Sequence, residues 1–113
     1  MIGITGTPGT GKSAVADELR RLGCDALDLK TTVSPFVTGH DTDRDADMVD
    51  VDAWTEEFPY MEGYMEGALA HFLLCDKIII LRCRPDVLRL RLAPRGYSPE
   101  KIRENCEAEA LDV

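Results

Sequence analysis

The chain has 113 residues, a formal net charge of −8 and a sequence pI of about 4.6. This length suffices for one small domain and not for two, so we expect a single domain over residues 1–113. The acidic balance argues against a protein that grips RNA or DNA through a general basic surface. It is compatible with a basic protein partner, and we expect no direct contact with nucleic acid.

The cysteine pattern and the hydropathy indicate a cytoplasmic protein. The four cysteines contain no C-x-x-C pair, which favours reduced thiols over a disulfide framework or a zinc site. The first strand is predicted to begin at Met1, which leaves no room for a signal peptide. No apolar run approaches the ~20 residues that a membrane helix requires, so we expect no membrane partner.

The most informative motif lies directly behind the first predicted strand. Residues 6–13 read Gly-Thr-Pro-Gly-Thr-Gly-Lys-Ser, a complete G-x-x-x-x-G-K-[ST] loop. A helix should follow the loop, because Val15, Leu19 and Leu22 repeat at helical spacing before Gly23. A genuine phosphate-binding loop needs a strand before it and a helix after it. The sequence offers both, which weighs against a chance glycine-rich turn.

Each residue type in this loop has a specific task. Gly9 and Gly11 let the backbone approach a phosphate closely, so that main-chain N–H groups can surround it. The Lys12 ammonium can reach the β- and γ-phosphates, and the Ser13 hydroxyl can ligate Mg²⁺. The following helix directs its positive N-terminal end at the anion. We therefore predict that the loop binds the phosphates of a nucleotide together with Mg²⁺.

The middle of the chain is predicted to leave the sheet. A short second strand is expected at residues 27–29, whereas residues 30–49 are polar, threonine-rich and then acidic. Few side chains there could build a core, so we interpret this segment as a flap over the nucleotide site. The alternative is a disordered linker. A short helix should follow from Ala53 to Phe58, with Asp52 as a candidate N-cap.

The second half of the chain continues the alternation of strands and helices. Residues 78–81 form a continuous apolar run, which is typical of a strand covered on both faces by helices. Helices are predicted to begin at Pro85 and behind Ser98, and the stripe of the last one consists of Ile102, Cys106 and Ala110. This alternation predicts a three-layer α/β domain with a parallel sheet, whose ligand lies at the carboxyl ends of the strands.

Phosphoryl transfer also needs an acidic residue at a strand end near the loop, to organise Mg²⁺ and the attacking group. Glu66 is the best candidate because it precedes Gly67, where a strand should end. Glu62 is the second candidate, since the same Tyr-Met-Glu-Gly tetrapeptide occurs at residues 60–63. The alternative for Glu66 is a solvated acid.

Positive charge must offset the negative charge that develops on the transferred phosphoryl group. Arg95 lies between two predicted helices, where a closing lid would be expected. The alternative is an ordinary surface arginine. Arg89 and Arg91 are interpreted as solvated residues on a helix face.

These segments resemble those of a known family. Residues 5–13, 50–52, 80–82 and 95–101, with Asn105, Glu107 and Glu109, are similar to adenylate kinase isoenzyme six and its archaeal relatives. The resemblance spans nearly the whole chain. Many kinases share the phosphate-binding loop, but the Arg-Gly-Tyr segment at residues 95–97 is much more specific.

The resemblance implies a nucleoside monophosphate kinase fold, conversion of ATP and AMP to two ADP, and some ATPase activity. It also implies a role in late maturation of the small ribosomal subunit through a small-subunit ribosomal protein. Residues from about 26 to 49 would be the monophosphate-binding lobe, and residues from about 94 to 104 the lid. By position, the ATP-binding residues are Gly9, Gly11, Lys12, Ser13, Ala14 and Arg95, with Lys12, Glu66 and Arg95 as catalytic groups and Ser13 and Glu66 at the metal.

The sequence departs from the family pattern in three ways. Ala68 follows the acidic strand end where the family usually has a histidine, and Lys30 stands near a family arginine. Family members also continue with at least one more strand and helix. We therefore expect an uncovered apolar sheet edge, with low stability or oligomerisation. The alternatives to an active kinase are an ATP-switched assembly factor and a degenerate nucleotide-binding fragment.

Overall fold

The structure is a computed structural model that describes residues 1–43 and 46–111, except for the side chain of residue 46. The strands are β1 (Ile2–Gly6), β2 (Ala26–Asp28), β3 (Val37–Asp41), β4 (Ala46–Val49), β5 (Tyr64–Glu66) and β6 (Lys77–Leu81). The helices are α1 (Lys12–Arg21), α2 (Lys30–Val33), α3 (Val51–Glu57), α4 (Pro85–Leu92) and α5 (Pro99–Ala110). Within the described ranges, no helix has the length and hydropathy that crossing a bilayer requires.

Four strands form a parallel sheet in the order β2-β5-β1-β6. Parallel strands need a crossover connection, and α1 supplies it between β1 and β2, while α2 and α3 lie between β2 and β5. The register aligns Asp28 with Glu66, so β2 and β5 end side by side. The predicted α/β fold of the P-loop class with a parallel sheet is confirmed.

The segment behind β2 is structured and separate from the main sheet. Strands β3 and β4 pair antiparallel as a two-stranded sheet of their own. Helix α3 follows, and its Trp54 is 1% exposed within the main apolar cluster. The Trp54 indole donates a hydrogen bond of 3.0 Å to the Thr32 hydroxyl. Residues before β3 and in α3, such as Val33, Phe36 and Trp54, therefore pack against the core, whereas β3 and β4 pair with each other and are largely exposed.

Two details of this segment differ from the sequence prediction. The second strand lies one residue earlier than expected, because β2 covers residues 26–28 and not 27–29. Asp50, not Asp52, is the N-cap of α3, and its side chain accepts a hydrogen bond of 3.1 Å from the Ala53 amide. Several acidic residues precede the apolar residues of this helix, so composition alone could not select the one with cap geometry.

Buried side chains form two clusters. The larger one consists of Met1, Leu29, Trp54, Met65, Ala70 and Leu73. The smaller one lies between α4 and α5 and consists of Leu88, Leu92 and Cys106. The expected stripe of α5 is wrong at one position, because Ala110 is exposed and Glu109 is buried in its place.

The prediction that residues 78–81 are covered on both faces is wrong. Strand β6 lies at the edge of the sheet, and its residues Ile78, Ile79 and Ile80 are 38%, 41% and 63% exposed. A run of apolar residues indicates what a strand tends to contact, but it does not reveal which elements are present to cover it. Low stability or oligomerisation through this edge stays a prediction.

Candidate functional site

A cleft of about 790 Å³ opens at the carboxyl ends of β1, β2 and β5. One wall is the loop and first turn of α1, from Pro8 to Ala14. A second wall consists of the residues at the ends of β2 and β5, and a third comes from the α4–α5 connection. This position agrees with the expectation that a ligand site in a parallel α/β sheet lies beyond the strand ends.

Two glycines determine the shape of the phosphate-binding loop. Gly9 has a φ of +88°, and a Cβ built there would lie 2.8 Å from Cδ1 of Leu88. Gly11 has a φ of +105° and caps α1, with no atom within 4 Å of a built Cβ. The loop is therefore packed tightly against α4 at Gly9 and has free space at Gly11.

We expect Gly9→Ala to destabilise the protein more than Gly23→Ala does. Both glycines have a φ of +88°, but nothing lies within 4 Å of a Cβ at Gly23. Gly23→Ala should therefore cost only the left-handed backbone penalty of roughly 1–2 kcal/mol, whereas Gly9→Ala adds the collision with Leu88. Urea unfolding followed by circular dichroism measures the difference. Equal losses for the two variants would contradict the tight contact.

Lys12 is held over the loop by main-chain carbonyls. Its ammonium donates hydrogen bonds of 2.7 Å to the Gly6 carbonyl and 3.1 Å to the Thr7 carbonyl. Burial lowers the pKa of Lys12 and the Arg95 guanidinium lowers it further, while the Glu66 carboxylate is the main opposing influence. Lys12 and Arg95 therefore repel each other across the cleft, and an anion bound between them would reduce this repulsion.

Glu66 is the last residue of β5 and is 6% exposed at the cleft wall. Burial raises its pKa, and the neighbouring Asp28 carboxylate adds to the increase, whereas the Lys12 ammonium opposes it. Glu62, the second candidate, is exposed and precedes β5, so it lies at the other end of that strand. The structure brings Glu66 and not Glu62 to the cleft.

Asp28 is a cleft residue that the sequence analysis missed. It is aligned with Glu66 across β2 and β5 and lines the same cleft. Its carboxylate also accepts a hydrogen bond of 3.0 Å from the Lys30 amide. A signal was available, because an acidic residue at the end of a strand that neighbours the loop belongs at this edge of a parallel sheet.

Two arginines, Arg91 and Arg95, belong to the third wall of the cleft. Arg95 ends the short 3-10 turn behind α4 and lines the cleft, and its role in a lid stays a prediction. Arg91, interpreted as a solvated residue, also lines the cleft and donates a hydrogen bond of 3.1 Å to the Gly9 carbonyl. Arg89 and Arg91 are both exposed, as the solvated interpretation requires, but Arg91 in addition contacts the loop. Sequence spacing did not show which face of α4 meets the loop.

The residues of the cleft fit a nucleotide polyphosphate with Mg²⁺. Ser13 and Glu66 both line the cleft, and they would supply oxygen ligands of the kind that Mg²⁺ prefers. Residues 1–43 and 46–111 contain no group of three or more His, Cys, Asp or Glu residues that could hold a metal ion. The ion would therefore need phosphate oxygens and water as further ligands, which is how Mg²⁺ binds in kinase sites.

Comparison with known proteins gives consistent matches over the whole chain. A family profile described as an AAA domain matches residues 2–112. A "Putative adenylate kinase" of Archaeoglobus fulgidus is 42% identical over 113 residues, which are 100% of this chain and 63% of the relative. Proteins of the same name from Methanothermobacter thermautotrophicus and Methanocaldococcus jannaschii are 44% and 39% identical. Those matches cover 100% and 99% of this chain, and 69% and 68% of the relatives. The chain thus spans about two thirds of the length of these relatives.

Proposed function

We propose, from the premise that this chain belongs to the P-loop family of putative adenylate kinases, that its cleft transfers the terminal phosphate of ATP to AMP. The observation that carries the proposal is the convergence of Lys12, Glu66 and Arg95 on one cleft, although they are far apart in sequence. An ammonium, a carboxylate and a guanidinium around a phosphate-binding loop are the groups that phosphoryl transfer requires.

In the proposed reaction an oxygen of the AMP phosphate attacks the γ-phosphorus of ATP, the bond between that phosphorus and the β,γ-bridging oxygen breaks, and two ADP result. The loop amides hold the phosphates, and Lys12 exchanges its carbonyl partners for phosphate oxygens. Arg95 offsets the charge that develops on the transferred group. Mg²⁺, when bound, neutralises further phosphate charge. Entry of water instead of AMP would give the accompanying ATPase activity.

The far end of the cleft is the proposed monophosphate subsite. Lys30 and Val33 of α2 line it together with Asp28. The lobe from about residue 26 to 49 would bind AMP, and residues 94–104 would act as the lid. Gly96, with a φ of +74°, directly follows Arg95, and a glycine of this kind can absorb the backbone rotation of a closing segment.

A coupled assay of ADP formation from ATP and AMP at saturating Mg²⁺ tests this function. ADP formed at a rate that depends on both nucleotides would support the kinase. ATP binding without turnover would remove the kinase and favour a degenerate nucleotide-binding fragment. ADP formed from ATP alone, with no response to AMP, would leave an ATPase.

An ATP-switched assembly factor is the second candidate. The net charge of −8 and the exposed acids around α3 favour contact with a basic protein, and we propose a small-subunit ribosomal protein as its class. The exposed acids of this surface are Asp43, Asp47, Asp50, Asp52, Glu56 and Glu57. Binding of such a protein that responds to ATP in a titration would support the switch, and binding that ignores ATP would remove it.

Glu66→Gln should slow ADP formation and stabilise the protein at the same time. The activity should fall by roughly 10–100-fold, the loss typical of removing a group that supports a bound metal ion. The pKa of folded Glu66 is raised, first by burial and then by Asp28, so ionisation destabilises the fold as pH rises through the unfolded-state pKa. That penalty is complete above the folded-state pKa, and the neutral amide removes it.

Urea unfolding at two pH values checks the stability part of this prediction. The variant should be more stable than the unchanged protein at pH 8, and the difference should vanish below the ordinary glutamate pKa of about 4.3. Glu62→Gln is the matched control, because Glu62 is exposed and lies away from the cleft. A Glu66→Gln protein that unfolds more easily at pH 8 would show that the carboxylate stabilises the fold.

A further inference from the structure

Glu109 near the end of α5 is a buried carboxylate that the proposed reaction does not use. Its side chain is 4% exposed. Oε1 accepts hydrogen bonds of 2.6 Å from Arg82 Nε and 2.9 Å from the Cys83 amide. Oε2 accepts a hydrogen bond of 2.6 Å from the Thr7 hydroxyl. The carboxylate therefore connects α5 to the end of β6 and to the phosphate-binding loop.

Thr7 transmits this connection to the middle of the loop. Its carbonyl accepts hydrogen bonds of 2.7 Å from the Thr10 hydroxyl, 3.2 Å from the Thr10 amide and 3.1 Å from the Lys12 ammonium. The side chain of Thr7 thus contacts Glu109, while its main chain contacts two residues that shape the loop. Movement of Thr7 would disturb the position from which Lys12 acts.

The chemistry of the contact explains why a carboxylate is needed here. The groups that contact the two oxygens are all donors, namely a hydroxyl, a guanidinium and an amide. An ionised carboxylate only accepts, whereas a glutamine would present an NH₂ group to one of these donors. Burial alone would raise the pKa of Glu109, but the hydrogen bonds from Thr7, Arg82 and Cys83 outweigh burial and lower it. The group is therefore ionised at neutral pH.

We propose that Glu109 is a positioning residue that acts through Thr7 to hold the phosphate-binding loop in the shape that binds the phosphates of ATP. It makes this contact from α5, the helix whose first turn lies within residues 94–104, the proposed lid. The proposal rests on the proposed function only in so far as the loop binds ATP. It does not require AMP or turnover.

Isothermal titration with ATP and Mg²⁺ tests the proposal on four variants. Thr7→Val removes the hydroxyl and keeps the shape, Thr7→Ser retains the hydroxyl, and Glu109→Gln removes the charge. The double variant combines Thr7→Val with Glu109→Gln. Glu107→Gln on the same helix is the control, because Glu107 is exposed and is paired with Arg103 at 3.9 Å.

We expect Thr7→Val and Glu109→Gln each to weaken ATP binding about tenfold, which corresponds to about 1.4 kcal/mol. The double variant should be little worse than either single variant, because both remove the same contact. Thr7→Ser should keep most of the affinity for ATP, because it retains the hydroxyl. In the kinase assay the KM for ATP should rise while the KM for AMP stays unchanged.

Three results would overturn the proposal: unchanged ATP affinity in Thr7→Val, full additivity in the double variant, or an equal increase in both KM values. If Glu109→Gln does not fold, Thr7→Val and Thr7→Ser still test the proposal, because the Thr7 hydroxyl is the loop group that contacts Glu109. An unchanged protein that binds ATP but forms no ADP would end the kinase proposal and leave this test valid.

Discussion

Lys12→Ala is expected to reduce kcat for ADP formation by roughly two to three orders of magnitude, the loss typical of removing one preorganised electrostatic group. In the structure its ammonium donates hydrogen bonds of 2.7 Å and 3.1 Å to carbonyl oxygens of the loop. When ATP binds, the ammonium can donate to phosphate oxygens instead. Single-turnover measurement with saturating ATP and AMP separates this loss from weaker binding.

Lys77→Ala is the control for the loss of a lysine. Lys77 is exposed and begins β6, so it lies at the end of the sheet opposite the cleft. Its replacement should leave kcat and both KM values unchanged. Lys12→Ala should also unfold no more easily than the unchanged protein, since burial lowers the pKa of the ammonium and its charged form therefore opposes folding at neutral pH. A Lys12→Ala enzyme with normal kcat would remove Lys12 from the mechanism.

Trp54→Ala should cost about 3–5 kcal/mol of unfolding free energy, the range for removing a large aromatic side chain from a core. Trp54 is 1% exposed, and it joins α3 to the main cluster by packing and by the hydrogen bond to Thr32. A domain of this size is stable by only about 5–15 kcal/mol, so the variant is expected to be partly unfolded at 37 °C. The chain has one tryptophan, so circular dichroism is the appropriate probe.

Two further variants separate the causes of that loss. Trp54→Phe keeps much of the aromatic volume and removes the N–H group, so it should lose less than Trp54→Ala. Leu74→Ala changes a residue that is 90% exposed and should alter stability by less than about 0.5 kcal/mol. If Trp54→Ala cost as little as Leu74→Ala, α3 would not be joined to the core in the way described.

The sequence was sufficient for the features that local rules determine. The phosphate-binding loop needs particular residues at fixed spacing, and its strand and helix adjoin it directly, so residues 6–13 could be located in the fold without further information. The parallel sheet followed from the alternation of elements. Glu66 could be assigned to a strand end because glycine follows it.

The features that could not be predicted depend on which elements meet in space. The contact of Arg91 with Gly9 requires the rotation of α4 relative to the loop, and helical spacing does not contain it. Glu109 was part of the family resemblance, but its burial and its contact with Thr7 depend on how α5 packs against the loop. The exposure of Ile80 likewise depends on the neighbours of β6, not on its own residues.

The contact between Gly9 and α4 has a consequence for how this protein can change over evolutionary time. Leu88 and Leu92 belong to a small apolar cluster, yet Cδ atoms of both lie 2.8 Å and 3.1 Å from where a side chain on Gly9 would begin. Shortening either leucine would cost stability alone. Enlarging either would push the loop toward the space that a phosphate must occupy, so selection on the ligand and selection on packing act on the same two positions.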